Sequence, residues 1–248
     1  MGNYFLKAFT ALILTSLVFL LGAGETRADN IATGNAWKFK VFIDDKEIGY
    51  HHFFMAEAGG SKQLKSIANF EYKLLFVRLF HYEHEISEIW NGNCLQSINS
   101  RTNSNGEPLK VDGRQETGEF RVAGSNGEHS LPECVMSFAY WNPVFLEQSS
   151  LLNTQNGEFL DVDISSPVFE ELEVRGELRP SYRYRLAAGA LKLDLWYSPD
   201  REWLALESEV KGGRMLRYTL DDHERPVTRN ASRQLASMAG RQGTRGGQ

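Results

Sequence analysis

Apolar and polar residues alternate with a period of two along most of this chain. Trp37, Phe39, Val41 and Ile43 share one face of the first such segment. Leu191, Leu193, Leu195 and Tyr197 share one face of a late one, and Trp203 to Val210 continues it after a Pro199-Asp200 turn. Alternation of this kind marks half-buried antiparallel strands. Turn pairs punctuate the body at Asp44-Asp45, Gly59-Gly60, Asn91-Gly92, Asn105-Gly106, Asn126-Gly127, Asn156-Gly157, Ala188-Gly189 and Gly212-Gly213. Asn-Gly and Asp-rich pairs tolerate positive φ and so favour the tight turns of hairpins. No stretch carries a long helical stripe. The one helix candidate runs from Asn142 to Gln148, with Asn142 as its cap and Pro143 at the first helical position. There is no βαβ alternation and no repeat of fixed length. The pattern predicts an all-β fold: a curved antiparallel meander, half-barrel or barrel-like, with one short helix.

Both ends of the chain depart from the alternation. Lys7 precedes an apolar run from Ala11 to Leu21, followed by Gly22-Ala23-Gly24-Glu25-Thr26-Arg27-Ala28. That order reads as a secretory signal peptide over residues 1–28, cleaved after Ala28. Its apolar core is shorter than the roughly 20 residues of a membrane span, so no integral span is expected after cleavage. No Cys precedes Cys94, which excludes an acylated lipoprotein cysteine in the leader. The expectation is export to the periplasm. Residues 221–248 are rich in Arg, Ser, Gly and Gln and hold almost no large apolar side chain. Such a tail cannot offset its ordering entropy by burial and is expected to be disordered. Residues 29–220 remain as one exported β domain, long enough to bury its own core.

The formal net charge is −5. Leader and tail are each net positive, so the acid excess sits in the body. An acidic body argues against a broad basic face for nucleic acid or anionic lipid headgroups. Two cysteines are present, Cys94 and Cys134. In an oxidising compartment an even pair reads as a disulfide, here closing a loop of about 40 residues. Without a Cys-x-x-Cys neighbour, neither a metal nor a redox role fits the pair.

The segment from Phe70 to Trp90 gathers aromatic and ionisable residues. As a strand, it places Tyr82, His84, Ile86, Glu88 and Trp90 on one face and His81, Glu83, Glu85 and Ser87 on the other. The first set is unusual for a dry core, because each buried polar group needs a partner. It reads either as a satisfied polar cluster at the rim of the core or as the polar lining of a ligand cavity. His84 and Glu88 stand about 13 Å apart on an extended strand and cannot touch. His81 and His84 fall on opposite faces, as do His51 and His52, so no metal set converges. No Gly-x-Ser-x-Gly elbow, phosphate loop or activated-cysteine context accompanies them, so no catalytic set and no cofactor is implied. Two aromatic clusters add candidates: Tyr140, Trp141 and Asn142, as the mouth of a pocket or an aromatic plug, and Trp196, facing away from the leucine side of its strand. The candidate ligand-binding residues are therefore Tyr82, His84, Glu88, Trp90, Tyr140, Trp141, Asn142 and Trp196.

Several pieces taken together resemble a known family. They are Phe39-Lys40-Val41-Phe42-Ile43-Asp44 leading to Ile48-Gly49; Tyr82-x-His84 leading to Glu88-x-Trp90 and Asn91-Gly92; Thr102 with Asn105-Gly106; Tyr140-Trp141-Asn142; and Leu195-Trp196-Tyr197. The combination resembles the exported proteobacterial domain-of-unknown-function family numbered 6134. It is more distantly similar to periplasmic half-barrels that carry lipid or lipoprotein chains. The resemblance implies a periplasmic β fold and brings no catalytic residue, cofactor or substrate; the lipid analogy is one of fold alone. The leading expectation is a non-enzymatic protein binding an apolar or amphipathic ligand, such as a lipid, in a concave sheet. One alternative is a cell-envelope assembly or interaction factor acting through its surface. Another is a hydrolase-like enzyme using His84 and Glu88.

Overall fold

The computed structural model describes residues 33–74, 77–210 and 212–224. The predicted signal peptide and the tail beyond residue 224 lie outside the described residues. Eight strands lead the chain: β1 (Thr33–Ile43), β2 (Lys46–Ala58), β3 (Ser61–Leu74), β4 (Val77–Asn91), β5 (Cys94–Ser104), β6 (Glu107–Glu116), β7 (Glu119–Gly124) and β8 (Gly127–Leu131). A 3-10 turn (Pro143–Glu147) and a small hairpin of β9 (Ser150–Leu152) and β10 (Phe159–Asp161) follow. The chain then re-enters the main sheet with β11 (Asp163–Ile164), β12 (Val168–Val174), β13 (Glu177–Ala188), β14 (Leu191–Tyr197), β15 (Trp203–Val210) and β16 (Arg214–Glu224). The predicted short helix is thus a single 3-10 turn. The Asn142 side chain caps it by accepting the Val144 N–H at 3.2 Å.

The main sheet is one antiparallel meander, in the order β11-β13-β14-β15-β16-β1-β2-β3-β4-β5-β6-β7-β8, with β12 also on β13. The first described strand pairs with the last, Phe39 opposite Leu220 and Ala36 opposite Glu224, so β1 lies in the middle of the sheet. This pairing carries order four residues past the boundary drawn at Leu220 from composition. Composition misses it because the neighbouring strand, not local apolar content, satisfies the backbone of residues 221–224.

Trp37, Phe39, Val41 and Ile43 are all buried, as the alternation requires. Phe39 packs 4.1 Å from Trp203 of β15 and 6.3 Å from Phe53 of β2, ring centre to ring centre. Full burial of a side chain such as Phe39 contributes about 2–3 kcal/mol. Residues 132–162 cover this inner face. Ser137 donates a hydrogen bond to Glu88 of β4 at 3.0 Å. Tyr140, three residues on, lies 5.2 Å from Trp203, and its carbonyl accepts the Tyr197 hydroxyl of β14 at 2.7 Å. Five strand spacings separate β15 from β4, about 24 Å in a flat sheet, whereas three residues reach about 10 Å. The sheet therefore curls around the segment, which plugs its concave side. Its two outer strands, β8 at one end and β11 with β12 at the other, do not pair, so the described sheet does not close into a barrel.

Cys94 and Cys134 form a disulfide with Cα atoms 4.8 Å apart. It fastens the start of the plug to the first residue of β5, and Leu95 N–H donates to the Val135 carbonyl beside it. The far part of the plug is held by backbone and by side chains, Ser100 donating to the Thr154 carbonyl and Asn126 to Glu158. Ser125 N–H donates to the Asn156 carbonyl at 2.7 Å, and a Cβ on Gly124 would fall 2.2 Å from that oxygen and 2.8 Å from Gly157 Cα. Both obstacles are backbone and cannot rotate away. Gly124→Ala should cost about 1–3 kcal/mol, the usual range for overpacking. A urea midpoint equal to that of the parent protein would show that the plug does not press on β7.

Candidate functional site

The inner face of β4 carries the predicted set. His84, Ile86, Glu88 and Trp90 are buried, Tyr82 is half-buried, and Glu83, Glu85, Ser87 and Ile89 are exposed. Glu88 has both oxygens engaged: one accepts the Ser137 hydroxyl of the plug, the other the Trp90 indole N–H, each at 3.0 Å. Its residual exposure is 3%, and no cation pairs with it among the described residues. Burial pushes its carboxyl up to about 7, against the opposing pull of the Trp90 and Ser137 donors. His84 Nδ1 lies 2.7 Å from Thr102 Oγ1 of β5, and burial lowers the imidazole to about 4.

Two further strands extend this face. His51 of β2 sits with Nε2 2.6 Å from Ser66 Oγ and Nδ1 3.4 Å from the Tyr218 hydroxyl of β16. Burial pulls it well below the ordinary histidine range, and the nearby His84 and His52 rings add repulsion against its proton. Both inner histidines are therefore neutral at neutral pH. The aromatic rings form a continuous tract. Tyr82 stacks 5.2 Å from Phe70 and 6.2 Å from Phe80, and lies 5.8 Å from the His84 ring. Phe70 in turn meets Tyr218 and His51.

Tyr140 of the plug faces this tract. Burial raises the phenols of Tyr82, Tyr140 and Tyr218, and Tyr140 adds to the shifts of the other two, which places the three hydroxyls near one another. Yet Tyr82 and Tyr140 are only half-buried. Among the described residues neither hydroxyl has a hydrogen-bond partner, whereas the His84 ring bonds the Thr102 hydroxyl and the Arg101 backbone. Two hydroxyls on half-buried side chains of the inner face are thus left free for a partner. They are neutral groups that can donate to or accept from a bound molecule while aromatic rings cover its apolar part.

The other predicted residues divide. Trp141 meets Trp90 edge-on at 5.5 Å, and Lys62 lies over its ring at 5.6 Å. Asn142 works as the cap of the 3-10 turn and donates to Asn93 Oδ1 at 3.2 Å. Trp196 is not brought to this face. It shares the opposite side of β14 with Asp194, its indole N–H donates to Glu170 of β12 at 2.5 Å, and Arg183 ties Glu170 to Asp194. The outward residue of an alternating strand was covered by an ion-paired side chain of the neighbouring hairpin, which sequence spacing does not reveal. Sequence reasoning missed His51, Tyr218, Thr102 and Ser137. For His51 a signal existed, since it alternates with Phe53 and Met55 on the buried face of β2.

His84 and Glu88 do not bond one another, and each has its own separate partner. Surface clefts lie elsewhere, among them one of about 370 Å³ lined by Arg185, Asp194 and Glu207 among others, and one of about 260 Å³ lined by Pro143, Pro167 and Tyr182 among others. Neither includes Tyr82, His84, Glu88 or Trp90. Among the described residues no three His, Cys, Asp or Glu side chains gather as a metal site would require, and no helix is long and apolar enough to cross a membrane.

The sequence profile of DUF6134, a domain of unknown function, matches residues 39–221. Comparison with curated proteins finds no match. The fold is similar to that of a β-barrel-like protein of the domain of unknown function DUF1849 from Brucella abortus, known from its crystal structure. The TM-score is 0.52 at 7% sequence identity, covering 79% of this chain and 98% of the other. At that identity the likeness concerns the fold alone.

Proposed function

We propose that this chain, which belongs to the DUF6134 family, is a non-enzymatic periplasmic protein that holds an apolar or amphipathic molecule, such as a lipid, in its concave sheet. One observation carries the reading: the open hydroxyls of Tyr82 and Tyr140, set in a tract of aromatic rings. Neither hydroxyl is fully enclosed, so each can exchange water for a polar group of a ligand. The signal-like leader supports export.

Mass spectrometry of small molecules released from the exported, natively purified protein tests the proposal. The parent protein should release an amphipathic compound. A Tyr82→Phe, Tyr140→Phe double variant should retain about tenfold less, two neutral hydrogen bonds being worth roughly that factor. Its melting temperature should not fall, since neither hydroxyl bonds to protein. A fall in stability with unchanged retention would make the tyrosines structural.

A surface-acting envelope factor is the second reading, favoured by one feature. Phe169 and Tyr182 meet at 5.6 Å on the β12–β13 hairpin and are both exposed, and an exposed aromatic pair of this kind suits a protein contact.

A further inference from the structure

At the end of the concave face where the β1–β2 and β15–β16 turns lie, the aromatic tract finishes at a pair of cations. Tyr72 of β3 stands directly opposite Phe80 of β4, and Phe70 opposite Tyr82, so all four share the inner face. Against the Tyr72 ring lie the Lys46 ammonium, 4.9 Å from its centre, and the Arg214 guanidinium, 4.6 Å from it. Arg214 also donates to the Tyr72 hydroxyl at 2.6 Å. Ring faces attract cations, which fixes both groups at this rim.

The two cations differ in their partners. Arg214 is matched by Asp44 at 2.7 Å, a carboxylate held low chiefly by the Met215 N–H and then by Arg214 itself. The neighbouring Lys73 and Arg78 both face Glu71. Glu47, next to Lys46 in sequence, acts on Lys40. Lys46 has no carboxylate among the described residues; its ammonium donates to the Lys73 carbonyl, which uses one of three donors. Deeper in, the inner face offers the opposite chemistry, with His51, His84, Tyr82 and Tyr140 all neutral.

We propose that the Lys46–Tyr72–Arg214 rim is the head-group site of the concave face and that it takes an anionic, single-chain amphipath. This rests on the binding reading above. The carboxylate, sulfate or phosphate of the ligand meets the spare donors of Lys46 and the guanidinium edge of Arg214. Its chain runs inward past Phe80, Tyr82 and Phe70. From Tyr72 to Ala68, which lies opposite His84, four residues of strand give about 13 Å of aromatic and apolar lining, interrupted only by the Tyr82 hydroxyl.

The test compares two probes with one chain length, decanoate and decanol, titrated by calorimetry into the full-length protein at low salt. Arg214 also holds Asp44 and Tyr72, so the variants are made at exposed Lys46: Lys46→Gln, and Lys46→Arg as the conservative control. Decanoate should bind the parent about tenfold more tightly than decanol, the scale of one charge-assisted hydrogen bond. Lys46→Gln should erase that preference by weakening decanoate about tenfold relative to decanol; Lys46→Arg should retain it. Equal binding of the two probes, or a preference that survives Lys46→Gln, overturns the head-group site while leaving the binding reading standing. Failure of both probes to bind the parent overturns both.

Discussion

A protein in which Cys94 and Cys134 are both replaced by Ala should lose about 4 kcal/mol of stability. The bond closes a 40-residue separation, and a loop of that length removes about 4 kcal/mol of entropy from the unfolded chain. For a domain of this size each kcal/mol moves the melting temperature by roughly 2–4 °C, so the fall should be about 8–16 °C. The loss should also be local at first. The bond fastens the plug beside Leu95 and Val135, and the Glu88–Ser137 and Trp90–Trp141 contacts lie next along the plug. Protection of the Leu95 and Asn142 amides against hydrogen exchange should fall before that of the β1–β2 ladder. Equal melting temperatures for the oxidised parent and the double variant would show that the disulfide constrains nothing the fold does not already hold.

Glu88→Gln should stabilise the protein at alkaline pH and change little in acid. The raised carboxyl pKa means that the native state holds a proton the unfolded state has released between about 4.5 and 7. Stability from this group therefore declines as pH rises through that window and stays lost above it, by about 3 kcal/mol. Gln keeps an acceptor for the Trp90 N–H and a group for Ser137, without the buried charge. The histidines work in the other direction. His84, lowered to about 4, and His51, lowered further by burial and by His84, leave the native state unprotonated where the unfolded state is charged. Their contribution is present above about 6.5 and fades as pH falls. In the parent protein Glu88 and His84 nearly cancel, and His51 leaves a net loss in acid. The variant should be more stable by up to about 3 kcal/mol at pH 8, match the parent near pH 4.5, and lose stability more steeply between the two. Urea unfolding across that range measures it; a constant offset at every pH would show that Glu88 does not titrate within it.

The strands themselves were legible in the sequence. β14 and β15 span the predicted Leu191–Tyr197 and Trp203–Val210 segments, and β4 buries the face that period-two alternation assigned to it. The cysteine pair followed from count and the expected compartment, and the disulfide is present. Hidden were features that depend on distant partners. The β12–β13 turn uses Arg175 at φ 56° before Gly176; an arginine in the left-handed region gives no turn signal, because its cost is met by the hairpin around it. The β1–β16 pairing joins chain segments nearly two hundred residues apart, and neither carries a mark of the other. Asn156-Gly157 looked like one more hairpin of the meander, but it belongs to the plug, docked against Gly124. The candidate site was half visible for the same reason. Alternation supplied Tyr82, His84, Glu88 and Trp90 from one strand, while His51, Tyr218 and Ser137 join them only when the sheet curls.

The claim at the centre of this account is that the aromatic inner face at β4 receives the apolar part of a ligand. Isotope-filtered NOE measurements between a bound decanoate chain and the protein test it most directly. The account predicts cross-peaks from the chain to the ring protons of Tyr82, Phe80, Phe70 and Tyr140. Cross-peaks to Phe169 and Tyr182 on the outer hairpin, with none to Tyr82 or Tyr140 at saturating decanoate, would contradict it.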